Sequence, residues 1–182
     1  MALKSTICKA ELQVSDLDRH YYATHSLTLA RHPSETDERM MVRLLAFALF
    51  ASDALNFGKG LSTEDEPDLV ELDPTGAIAR WIDVGLPDER DIRRASHRAR
   101  EVALLTYGGR IAEMWWQQNG AKLAGLANLT VIDLPPEATA ALVAMAGRSM
   151  RLSCTIQDGN VWMADDGGNH EIALQVRQRP GH

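Results

Sequence analysis

Two carboxylates, Asp68 and Asp83, form the one coherent reactive pair that the residues of this chain suggest. They lie in two runs of strand-forming residues, Asp68 to Leu72 and Ile78 to Val84, divided by Asp73-Pro74-Thr75-Gly76, whose residue types favour a turn. In an antiparallel hairpin, residues equidistant from the turn centre face each other. Positions 68 and 83 are equidistant from a point between Thr75 and Gly76, so the two side chains are expected on one face. Directly opposed Cβ atoms stand about 4.5 to 5.5 Å apart, and two like charges at that separation destabilise the hairpin unless a metal or an arginine neutralises them. A hard divalent ion such as Mg²⁺ takes one or two carboxylates and keeps several waters, which leaves room for a substrate phosphate. Such an ion polarises a phosphoryl oxygen and acidifies an attacking water. The chemistry expected of the pair is phosphodiester hydrolysis.

The elements that must position these residues follow from periodicity. Thr6 to Val14 and Tyr21 to Leu29 alternate apolar and polar residues as a hairpin. Ser34 reads as a helix N-cap, and Met40, Met41, Leu44, Leu45, Ala48, Ala51 and Leu55 recur at helical spacing up to a stop near Gly58. After the second hairpin, Pro87 and Asp88 open a helix with Ile92, Ala95 and Ala99 on one face. Val102 to Tyr107 follows as a strand, then a short helix near Ile111 to Gln118 and a strand from Ala127 to Leu134. Pro135-Pro136 introduces a helix to about Met145, with proline accommodated in its first turn. Arg151 to Gln157, Val161 to Ala164 and Glu171 to Gln178 read as a meander. This order predicts an α/β (α+β) protein: a mixed sheet flanked by helices, plus a second small antiparallel sheet built from the N-terminal hairpin and the C-terminal meander.

Composition narrows the function. A chain of 182 residues with 45% hydrophobic content suits one domain, residues 1–182. Its longest apolar run, Leu44 to Ala51, is far short of the roughly 18 residues that span a bilayer. The polar start lacks the features of a secretory leader, which makes the cytoplasm the expected location; a domain of this size can bury its core alone, so a monomer is the default state. Cys8 and Cys154 read as small buried hydrophobes, and the six histidines show no metal-ligand spacing. The net charge of −6 argues against binding nucleic acid through overall positive charge. Locally, six acids between Glu64 and Asp73 precede a helix in which Arg90, Arg93, Arg94, Arg98 and Arg100 outnumber three acids. Trp115 and Trp116 are adjacent on a helix, so one of them is expected to be exposed. Gly58-Lys59-Gly60-Leu61-Ser62 follows a helix and lacks phosphate-loop spacing.

The runs Gly60-Leu61-Ser62, Asp65-Glu66-Pro67-Asp68-Leu69, Trp81-Ile82-Asp83-Val84-Gly85 and Tyr107-Gly108, with Trp115-Trp116, resemble the bacterial YaeQ family over nearly the whole chain. That family is regarded as a variation on the PD-(D/E)XK nuclease fold. The resemblance implies that Pro67-Asp68 is the "PD" and that Asp83 is the second acid, with Mg²⁺ or Mn²⁺ as cofactor. Two departures stand out. Asp83 takes the place of a commoner glutamate, and Gly85 holds the position of the motif lysine. In relatives a lysine often stands on the following helix at the position of Arg94, which implies a migrated cation. Arginine clamps phosphate in a bidentate manner but does not act as a general base.

By the same resemblance Arg90, Arg93 and Arg98 would track a nucleic-acid backbone. Glu38, at the head of the first helix's apolar stripe, would add a third metal ligand. Two readings follow. One is a divalent-metal-dependent nuclease or other phosphodiesterase, in which Asp68 and Asp83 bind metal and Arg94 stabilises the transition state. The other is a catalytically inactive nuclease-like domain that holds nucleic acid or a protein partner, in line with the family's reported link to transcription elongation and antitermination.

Overall fold

The computed structural model describes residues 4–58 and 66–181. The Gly60-Leu61-Ser62 run, Lys59 and the acids Glu64 and Asp65 therefore lie outside the described residues. The first hairpin forms as its alternation predicts, from β1 (Thr6–Asp16) and β2 (Tyr21–Arg31), paired from Thr6 opposite Arg31 to Asp16 opposite Tyr21. Asp16 closes its turn by accepting from the backbone N–H groups of Asp18 and Arg19 at 3.1 and 3.0 Å.

Helix α1 (Asp37–Leu49) starts later and stops earlier than its spacing suggests. Thr36, not Ser34, is the N-cap and accepts from the Arg39 N–H at 3.1 Å. Ser34 is turned instead toward the His32 ring. Beyond Leu49 the turn-favouring Ser52 and Asp53 break the helix, and Leu55, which fits the helical spacing, lies in the three-residue strand β3 (Leu55–Phe57). Every residue from Met40 to Ala48 is buried, as expected of a helix enclosed on all sides rather than laid on a surface.

The second hairpin is β4 (Leu69–Leu72) and β5 (Ile78–Val84). Helix α2 (Glu89–Arg98), capped by Asp88, leads to β6 (Ala99–Tyr107). Helix α3 (Arg110–Leu123) is longer than expected. It runs through Gly120, where a Cβ would stand only 3.0 Å from the Trp116 indole, so the ring packs on bare backbone. Strand β7 (Leu129–Leu134) and helix α4 (Pro136–Ala144) match their sequence signals within two residues.

The tail contains β8 (Ser149–Gln157), β9 (Asn160–Asp165), β10 (Gly168–Glu171) and β11 (Gln175–Gln178). The expected last strand is thus two strands, and they belong to different sheets. The second sheet does unite the N-terminal hairpin with the C-terminal meander, in the order β10-β9-β8-β1-β2. It is mixed rather than antiparallel, because β1 and β8 run parallel, from Lys9 opposite Ser149 to Asp16 opposite Ile156. The larger sheet has the order β11-β7-β6-β5-β4-β3, with β5, β6 and β7 parallel and β11 antiparallel on β7.

Side chains from α1, α4 and the facing surfaces of both sheets form one core. A second core beneath α2 and α3 gathers Trp81, Ile92, Leu104, Leu123 and Val131 on the other face of the larger sheet. Trp115 and Trp116 are both half-buried against this second core; the Trp115 indole N–H donates to the Pro87 carbonyl at 3.0 Å. The expectation that one of them is exposed therefore does not hold, because the two rings flank the same helix–sheet seam. Both cysteines are free and buried. Burial, with the Asp16 charge, pushes the Cys154 thiol up to about 12, as suits an inert core residue. His25 is tied to the Tyr21 hydroxyl at 2.8 Å and packs edge-on to Phe47, which fits a structural histidine. No helix among the described residues is long and apolar enough to cross a membrane.

Candidate functional site

The register of β4 on β5 sets Leu69 opposite Ile82 and Val70 opposite Trp81, and its continuation sets Asp68 opposite Asp83. The two strands are locked at this end by their own acids. Asp68 donates its backbone N–H to Asp83 Oδ1 at 3.3 Å, and Asp68 Oδ2 accepts from the Val84 N–H at 2.9 Å. Asp83 Oδ2 accepts from the Trp81 indole N–H at 2.9 Å. Asp68 is buried and Asp83 half-buried. Burial first, and then the adjacent Asp68 charge, push the Asp83 carboxyl up to about 6, against the downward pull of Trp81, the Asp68 N–H and Arg39.

The charge facing Asp68 comes from a residue that the sequence reading missed. Arg39, in the first turn of α1, places Nη2 2.6 Å from Asp68 Oδ1 and Nη1 3.1 Å from Glu35 Oε2. Glu35 is also buried, and its Oε1 accepts from Arg43 Nη2 at 2.6 Å. Arg43 is 1% exposed; it also reaches the Ala30 carbonyl at 3.3 Å and lies over the Phe57 ring. The result is a buried chain of alternating charge, Arg43, Glu35, Arg39, Asp68, with Asp83 next to its last member. Burial works against the Arg39 charge, but Asp68 and Glu35 more than offset it and hold the guanidinium protonated. Tyr107, at the end of β6, is half-buried within reach of the same charges: burial raises its hydroxyl pKa, Arg39 opposes this, and Glu38, Glu35 and Asp68 add to it.

A signal for these residues was present. Glu35, Arg39 and Arg43 are spaced four apart at the head of a helix, and Arg43 interrupts an otherwise apolar run, a place where a charged side chain requires a partner.

The other sequence-predicted residues are placed as follows. Glu38 is half-buried on α1 and its charge is felt at Tyr107, yet among the described residues no three His, Cys, Asp or Glu side chains gather closely enough to hold a metal. Arg94 is half-exposed and stands 3.8 Å from Asp91. Arg90 pairs with Asp88 at 3.4 Å, and Arg93 pairs with Glu89 at 2.5 Å and also binds the Lys122 carbonyl. Arg98 lies over the Trp81 ring at 5.0 Å, so it meets the indole that donates to Asp83.

Two glycines shape the site. Gly85 has φ +105° and donates its N–H to the Leu105 carbonyl at 2.9 Å. Any residue with a side chain would be strained there in that conformation. At Gly58 a Cβ would come within 2.2 Å of the Pro67 carbonyl oxygen, and its N–H donates to the Asp68 carbonyl at 2.8 Å, so a bare backbone pins the Pro67-Asp68 pair.

The oxygens of the pair are of the chemical type that a hard divalent ion takes, and Arg39 stands at one of them. Each of the four carboxylate oxygens accepts one of the bonds described, and each has a second acceptor site. Hard cations prefer this oxygen chemistry.

The observations define an α/β protein of two mixed sheets with an acidic pair at one end of a strand hairpin. Residues 1–174 match the family described as YaeQ protein, and the chain belongs to the YaeQ family. It is 51% identical over 180 residues to a protein of Escherichia coli K12 named as uncharacterized protein YaeQ, and 49% identical over 180 residues to its counterpart in Salmonella typhi, with 99% of each chain covered in both cases. The crystal structure of YaeQ from Xanthomonas axonopodis pv. citri is similar at a TM-score of 0.92 and 54% identity, over 97% of this chain and 99% of that one. That of YaeQ from Pseudomonas syringae is similar at 0.89 and 38%, over 94% and 95%.

Proposed function

We propose that this protein is a divalent-metal-dependent nuclease or related phosphodiesterase with a degenerate PD-(D/E)XK-type site, working in the cytoplasm on nucleic acid. The observation that supports this best is the direct apposition of Asp68 and Asp83, with Asp83 pushed up to about 6 by burial and by its neighbour's charge. Two acids so placed favour a cation beside them, and a carboxyl perturbed in this way is a candidate for function. Asp68 and Asp83 would hold Mg²⁺ or Mn²⁺, with waters completing the shell; Glu38 does not gather with them closely enough to be a third ligand. Bound there, the ion would supply Lewis-acid polarisation of the phosphoryl group and acidification of water. Arg94 would stabilise charge on the phosphate in the transition state, a bidentate task suited to guanidinium. Arg90, Arg93 and Arg98 would contact the nucleic-acid backbone, and exchanging the surface ion pairs of Arg90 and Arg93 for phosphate costs little at exposed positions.

The test is cleavage of single- and double-stranded DNA and RNA with Mg²⁺ or Mn²⁺. Asp83→Asn is expected to abolish cleavage in a folded protein, while Arg98→Ala is expected to weaken binding and reduce its salt dependence. Cleavage that survives in Asp83→Asn would sink the assignment.

A second reading has its own observation. Arg39, 2.6 Å from Asp68, already supplies the neutralising charge that a metal would bring. On that basis the fold would be a catalytically inactive, nuclease-like binding module for nucleic acid or a protein of the transcription machinery. Affinity would then survive Asp83→Asn and fall when the α2 arginines are removed.

A further inference from the structure

We infer that Arg39 is an internal competitor for the divalent ion: its guanidinium occupies the cation seat at Asp68, and metal enters only as that contact loosens. This rests on the proposed metal site and goes beyond it by assigning a role to a residue on another element. Three observations carry it. Arg39 makes its shortest contact, 2.6 Å, with the oxygen of Asp68 that does not serve the backbone, since Oδ2 is committed to the Val84 N–H. Its second contact, to Glu35 Oε2, is longer at 3.1 Å and would remain as an anchor if the Asp68 contact opened. The Tyr107 hydroxyl lies within electrostatic reach of Arg39 and offers an oxygen toward which the freed charge could turn.

A guanidinium and a divalent ion sharing one carboxylate repel each other strongly in a part-buried setting. The ion's apparent affinity is therefore lowered by the work of displacing Arg39. An anionic phosphate brought in with the ion would give the displaced guanidinium a new partner, which makes metal and substrate bind cooperatively.

The experiment is a Mn²⁺ titration followed by electron paramagnetic resonance on the native chain, Arg39→Met and Arg39→Lys, each checked for native circular dichroism. Arg39→Gln, which keeps an amide donor toward Asp68, replaces the methionine variant if that one fails to fold. The neutral substitution is expected to tighten Mn²⁺ binding by about tenfold. Arg39→Lys is expected to restore affinity to within about threefold of the native value, because the competing charge is back. A native chain that binds Mn²⁺ as tightly as, or more tightly than, the neutral variant would overturn the role of Arg39 and leave the metal site standing. If neither chain binds up to about millimolar Mn²⁺, the competitor and the metal site both fall.

Discussion

Glu35→Gln is expected to lower the melting temperature by roughly 10 °C, the larger of two stability effects that the buried charge chain implies. Glu35 is the one acid that touches both Arg39 and Arg43 among the described contacts. Removing its charge leaves Arg43, 1% exposed, without a counter-ion among the described contacts, facing an amide oxygen and the Ala30 carbonyl. Its Nε is already buried without a hydrogen-bond partner among the described residues. Stripping one partner from a buried ion pair costs about 3 to 5 kcal/mol, because the orphaned charge cannot regain water. Arg43→Met in the Glu35→Gln background should recover most of the loss, since the pair is then absent rather than broken. Thermal unfolding of the four members of this cycle checks both statements. A loss below about 1 kcal/mol in the single variant would mean that the chain is better hydrated than its burial implies.

Asp83→Asn is expected to act in the opposite direction at neutral pH. The folded-state carboxyl is raised from 3.8 to about 6, so the fold favours its protonated form. The associated stability is fully present below about pH 4 and is lost as pH rises through about 6. Above that, the ionised carboxylate costs up to about 3 kcal/mol, less whatever screening solvent provides at a half-buried site. Asparagine removes that cost but offers one acceptor oxygen to two donors, the Trp81 indole and the Asp68 N–H, at about 1 kcal/mol. The variant should therefore fall up to about 1 kcal/mol below the native protein near pH 4 and exceed it by about 1 to 2 kcal/mol at pH 8. Unfolding curves between these pH values measure it; a difference independent of pH would contradict the burial and charge coupling assigned to this pair.

The hairpin was legible because turn chemistry is local, yet the register was reached by a compensation. The turn is centred on Thr75 itself: Leu72 pairs with Ile78, and the Asp73 N–H donates to the Ala77 carbonyl at 2.8 Å. One extra residue of β5 then shifts the ladder, and from Glu71 opposite Arg80 onward the pairing is the one counted from between Thr75 and Gly76. An irregularity in the strand thus made a simple count succeed. The helix overrun past Leu49 has the converse origin: Ala51 and Leu55 are buried for tertiary reasons, and their spacing imitates a helical stripe.

The split of the last strand had no local mark. Ile172-Ala173-Leu174 contains neither glycine nor proline, and its crossing from one sheet to the other is decided by the free edge that β7 offers to β11. Arg39 was missed for a related reason. A helix-head arginine four residues after a glutamate has an ordinary surface explanation, and what makes it part of the site is the distant β4 end folded against it. Sequence reasoning found the two acids because both lie on one hairpin. The cation that faces them lies 29 residues from Asp68.

The central claim is that Asp68 and Asp83 together hold a divalent ion, and Mn²⁺ binding measured by electron paramagnetic resonance tests it most directly. The comparison is between the native chain and a folded Asp68→Asn, Asp83→Asn double variant. Loss of the free-ion signal in the presence of the native chain, and its persistence with the double variant, is the predicted result. A native chain that leaves the free-ion signal intact up to about millimolar metal, or a double variant that binds equally well, would contradict it.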